Sequence, residues 1–103
     1  MDKKTKEMYS SLIKELKDFE GGIIDQYVDF ETIAKNLGFK IYKTFKNKNY
    51  ITNNLSGRYE VWVGISGYHD FMEGKGNSLG EAVRNATRSI MSYENFFIES
   101  NIV

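Results

Sequence analysis

Near the start of the chain Met8, Leu12, Ile13, Leu16 and Phe19 recur at helical spacing, with lysines and glutamates filling the positions between them. This pattern predicts an amphipathic helix from about Lys4 to Glu20, stopped by Gly21-Gly22. A shorter helix follows, opening near Asp25 or Asp29, presenting Phe30, Ile33, Ala34 and Leu37, and closing on Gly38 as a left-handed cap. The period then changes to two. Phe39, Ile41 and Phe45 predict a strand over 39–45, and asparagine-rich turns flank a short strand at Tyr50 to Thr52. From Arg58 the alternation is strict, with Tyr59, Val61, Val63 and Ile65 on one face and Glu60 and Trp62 on the other. Ser66-Gly67 reads as a hairpin turn into a strand from Tyr68 to Lys75.

Ser78 and Glu81 have the spacing of a capping box, so a helix is expected to begin at Leu79. Its inward stripe is Leu79, Val83, Ala86, Ile90 and Tyr93, with Arg84, Asn85 and Arg88 turned outward, and Phe96-Phe97-Ile98 pack back onto the body. The elements add up to an α+β fold: a small, mostly antiparallel sheet of three to four strands, packed with an N-terminal helix or helices and a C-terminal helix. At 103 residues the chain has enough material for one core, so residues 1–103 are read as a single domain.

The chain contains no cysteine, which excludes disulfides, thiol nucleophiles and thiolate metal sites. With no signal-peptide pattern, a cytoplasmic setting is expected, and no apolar run approaches the roughly 20 residues of a membrane span. The formal net charge of zero conceals a segregation. Residues 1–31 carry 5 basic and 8 acidic side chains, residues 32–59 carry 6 and none, and residues 60–103 carry 3 and 6, giving −3, +6 and −3. The central island holds Lys35, Lys40, Lys43, Lys46, Lys48 and Arg58, interleaved with aromatic residues that include Tyr42 and Tyr50. Lysines can track a phosphate backbone and outward tyrosines can stack on bases. A lysine-rich strand edge also discourages sheet-to-sheet aggregation, which accounts for the same residues without a ligand.

Catalytic material is sparse. His69 is the one imidazole, beside Asp70 on the expected hairpin, and no serine sits in a nucleophile elbow, so no enzyme, metal or cofactor is expected. Asp70 and Glu73 lie three apart on a strand and point to opposite faces, which disfavours a shared cation. The turn Gly74-x-Gly76-x-Ser78 opens a helix and could cradle an anion through Lys75, Gly76 and Ser78, helped by Arg84 and Arg88, although a tight strand-to-helix turn accounts for the glycines equally. On the first helix, Met8, Tyr9 and Leu12 offer a dimer or partner contact if the sheet does not use them, so a homo-oligomer is one expectation.

Gly38-Phe39 with its following strand, Tyr59 to Val63, Glu73-Gly74-Lys75-Gly76-Asn77-Ser78-Leu79, Glu81-Ala82 and Ala86 together resemble the small phage domains described as ABA sandwiches, over residues 29–91. The order of elements and the G-x-G-x-S turn are also similar to double-stranded RNA-binding domains and to HicB-type antitoxins, although Leu79 and Gly80 stand where the RNA-binding family has adjacent lysines. The phage resemblance implies a non-catalytic binding protein, an inhibitor occupying a host protein or ribonucleoprotein such as a CRISPR effector. It would dock through Lys43, Lys46, Lys48 and Arg58, or through an acidic face at Glu60, Asp70 and Glu73 that imitates phosphates. The alternatives are direct nucleic-acid binding through Lys40, Tyr42, Lys43, Lys46, Lys48, Tyr50 and Arg58, and sequestration of a small ligand or nucleotide at the glycine turn.

Overall fold

A computed structural model describes residues 3–19, 24–47, 57–65 and 72–94. It has the predicted α+β architecture. In chain order the elements are α1 (Lys3–Asp18), α2 (Tyr27–Asn36), β1 (Lys40–Asn47), β2 (Gly57–Gly64), β3 (Met72–Gly76) and α3 (Leu79–Ser92). The strands form an antiparallel sheet in the order β1-β2-β3. No helix among the described residues is long and apolar enough to cross a membrane. Gly21-Gly22, the strand expected at Tyr50 to Thr52, the Ser66-Gly67 turn and Phe96-Phe97-Ile98 all lie outside the described residues.

The inward stripe of α1 is as predicted at Leu12, Ile13 and Leu16, but Tyr9 is buried as well. Its ring meets Phe39 edge-on, with centroids 4.9 Å apart. Burial of Tyr9 and Leu12 uses the face that was a candidate dimer contact, and Met8 is partly buried against the same core. Helix α2 starts at Tyr27, between the two predicted positions, after Gln26, which makes no side-chain cap bond; Asp29 sits in the first turn. Its end is better determined. Gly38 adopts φ +93°, a conformation that side chains resist, and its N–H donates to the Lys35 carbonyl at 3.0 Å while that of Phe39 donates to Ala34 at 3.0 Å. Those two bonds turn the chain directly from α2 into β1, and Phe39 between them is buried.

Helix α3 lies across β3 and β2, α2 lies against β1, and α1 packs on both helices. All this apolar material covers one face of the sheet, where Ile41, Val61 and Val63 meet Phe30, Val83, Ala86 and Ile90 in a single core. Gly74 lets α3 come close. A methyl group there would run into the backbone of Ala82 and Ala86, so helix and strand touch main chain to main chain. Side chains stitch the same seam: Asn85 Nδ2 donates to the Lys75 carbonyl at 2.7 Å and Ser89 Oγ to the Glu73 carbonyl at 3.1 Å. Tyr93 does not continue the inward stripe. It caps the helix and is half exposed, while Thr87 is buried instead, its hydroxyl bonded to the Val83 carbonyl at 3.0 Å.

Candidate functional site

The strand register divides the central residues into two sets. Ile41, Lys43 and Phe45 on β1, Tyr59, Val61 and Val63 on β2, and Met72, Gly74 and Gly76 on β3 share the helix-covered face. Lys40, Tyr42, Thr44 and Lys46, then Arg58, Glu60 and Trp62, then Glu73 and Lys75, share the other. Among the described residues no helix packs on that second face. Among the described residues it is a sheet surface without a covering layer, and Lys40, Lys46, Arg58, Glu60, Glu73 and Lys75 stand on it.

Its aromatic centre is a cross-strand pair. Tyr42 and Trp62 are register partners, with ring planes inclined by 9° and centroids 6.3 Å apart. Tyr42 remains 43% exposed and Trp62 is half-buried. Beside it lies a charged cluster whose hub is a carboxylate. Glu60 is 1% exposed although no helix among the described residues packs on its face, and Thr44, Lys46, Arg58 and Lys75 gather around its carboxylate. Arg58 Nη2 donates to Glu60 Oε1 at 3.2 Å, Lys46 Nζ lies 3.4 Å from Oε2, Lys75 Nζ lies 4.0 Å from Oε1, and the Thr44 hydroxyl donates to Oε2 at 3.4 Å. Burial by itself pushes the Glu60 carboxyl up. The hydrogen bond and charge of Lys46, with the charges of Arg58 and Lys75, outweigh burial and hold it below the usual carboxylate value. Lys75 also pairs with Glu73 at 3.4 Å. Arg58 Nε and Glu73 Oε2 are enclosed without a hydrogen-bond partner.

The predicted basic island is thus divided. Lys40, Tyr42, Lys46 and Arg58 come together on the open face, whereas Lys43 extends on the helix side, its Nζ 4.5 Å from the centre of the Tyr27 ring. The Tyr27 phenol is pushed up to about 12 by burial first, then by the hydrogen bond and charge of Glu31. Lys48, Tyr50, His69 and Asp70 lie outside the described residues. Of the expected acidic docking face, Glu60 is sealed beneath three cations and cannot meet a partner, and Glu73 is only partly exposed and paired. Alternation put Glu60 opposite the core; it could not show that neighbouring strands would close over it.

The glycine turn resolves into packing. A methyl group on Gly76 would come within 2.8 Å of the Ala82 backbone nitrogen. Ser78 Oγ accepts from the Glu81 N–H at 3.1 Å, and Glu81 Oε2 accepts from the Asn77 N–H at 3.3 Å, so a carboxylate already occupies the positive end of α3. Lys75 points to the open face, on the other side of the sheet from the exposed Arg84 and Arg88 of α3. The five residues of the anion candidate are not gathered at one point.

Between α1 and α2 lies a cleft of about 320 Å³ lined by Glu15, Asp18, Phe19, Asp29, Thr32 and Ile33, which periodicity alone did not reveal. Among the described residues no group of three or more histidine, aspartate or glutamate side chains is placed to hold a metal ion. No family model, curated protein or solved structure matches the chain.

Proposed function

We propose that this chain is a non-catalytic binding module whose open sheet face docks single-stranded nucleic acid. The observation that carries the reading is the stacked Tyr42–Trp62 pair on a face that no described helix covers, with Lys40 to one side of it along the strands and Lys75, Lys46 and Arg58 to the other. Rings on an open sheet give unpaired bases a surface to stack on, worth about 1–3 kcal/mol per base, and the cations give the backbone its counter-charge. A single histidine and no cysteine support the non-catalytic part.

Labelled single-stranded RNA and DNA titrated with the protein at low and near-physiological salt test the reading. Binding is expected to weaken steeply with salt and to fall about tenfold or more in Trp62→Ala or Tyr42→Ala. Unaltered affinity in both variants would remove the face from the interaction. Absence of binding to any strand would remove nucleic acid altogether.

The second reading, occupation of a host defence macromolecule by a phage-encoded inhibitor, draws on the same side chains, because tryptophan, tyrosine and arginine dominate the energetics of protein interfaces. Its sign would be stoichiometric inhibition of a defence nuclease that survives nuclease treatment of both proteins and is lost in Trp62→Ala.

A further inference from the structure

Resting on the single-strand reading above, we infer that Glu60 sets the selectivity of the open face for single strands over duplexes. Three of the face's cations, from Lys46, Arg58 and Lys75, converge on this one carboxylate at 3.4, 3.2 and 4.0 Å, and Lys75 is shared with Glu73. Lys40 is the cation of this face without an ion pair among the described residues. The face therefore carries much less positive charge than its lysines and arginine suggest.

That deficit does not weigh equally on all nucleic acids. A duplex hides its base faces, and a protein that does not enter its grooves must bind it almost wholly through phosphates, spaced at about one charge per 1.7 Å of axis. A single strand offers the same backbone at lower charge density together with bases that can lie on Tyr42 and Trp62. Subtracting one unit of charge at Glu60 thus takes away a larger share of what would hold a duplex than of what holds a single strand. The arrangement also fixes where the cations are: Lys46, Arg58 and Lys75 are held around the buried Glu60 carboxylate, one register pair along the strands from the rings. Glu60 touches no ligand in this account. It acts through the cations it neutralises and is a specificity-determining residue.

The test uses the full chain and two probes, a fluorescein-labelled single-stranded 20-mer RNA and the same 20-mer annealed to its complement, each titrated across a range of salt. Wild-type protein should favour the single strand. Glu60→Gln, which keeps the shape and an acceptor for Thr44, should raise duplex affinity about tenfold and single-strand affinity about threefold or less, and should steepen the duplex salt dependence by about one in the log–log slope. Circular dichroism reports whether the variant folds. Should it not, Thr44→Lys adds the same unit of charge at the exposed cross-strand neighbour of Glu60 and should shift the ratio in the same direction. An equal change for both probes, or none, with wild-type binding intact, overturns the role of Glu60 alone. A wild-type protein that binds neither probe overturns the single-strand reading and the inference together.

Discussion

The two faces of the sheet are made by the same three strands yet are sealed in opposite ways. On one, Val61 and Val63 are buried by helices, and the sealing is steric: Gly74 has no side chain so that α3 can lie on the strand. On the other, Glu60 is buried as deeply as Val61, but its contacts are with Lys46, Arg58, Thr44 and Lys75, and what holds it is electrostatic. The first kind cannot open without unfolding. The second responds to salt, acid and competing anions.

Gly74→Ala should produce the largest effect on stability, since the new methyl group meets backbone, which cannot rotate away. A loss of about 3 kcal/mol is expected in urea unfolding. Lys75→Ala, one residue on and on the other face, should change stability by about 1 kcal/mol or less, as its ion pairs are partly exposed. Equal losses at the two positions would erase the distinction between the faces.

Acid should act next. Because the Glu60 carboxyl lies below its ordinary value of 4.5 in the folded chain, its ionised form binds protons less readily there than in the unfolded chain. The stability it supplies is fully present above about pH 4.5 and is lost as pH falls through the lower folded value. Thermal melts between pH 6 and 3 should show a shallower fall in Glu60→Gln than in the parent, and parallel curves would mean that the cluster adds nothing to folding. The smallest effect belongs to the helix side. The Tyr27 phenol should ionise late, near 12 instead of 10, so its preference for the neutral form is lost as pH rises from 10 towards 12. An ultraviolet titration in which Tyr27→Phe leaves the late component in place would contradict that assignment.

Much of this was legible in the amino-acid pattern. Strict alternation from Tyr59 to Val63 separates core from open face, Ser78 and Glu81 mark the start of α3, and Gly38 marks the end of α2, because each is a local requirement of backbone geometry. What could not be read is register. Lys43 and Lys46 part because β1 runs to Asn47, past the expected end at Phe45, and whether Glu60 is exposed depends on which residues of β1 and β3 stand opposite it, namely Thr44 and Lys75. Tyr9 escaped for a related reason: its burial depends on Phe39, thirty residues away in the chain. The glycines before Ser78 suit a phosphate cradle and a close helix contact equally well, until the position of α3 decides between them.

The central claim, that single-stranded nucleic acid stacks on the open face, can be tested with no label at all, because Trp62 is the one tryptophan of the chain and stands at the centre of that face. Its fluorescence should be quenched saturably by single-stranded RNA or DNA, with much of the quenching reversed by salt and a much weaker response to the corresponding duplex. Emission that stays unchanged through a titration to high oligonucleotide concentration at low salt would contradict the account.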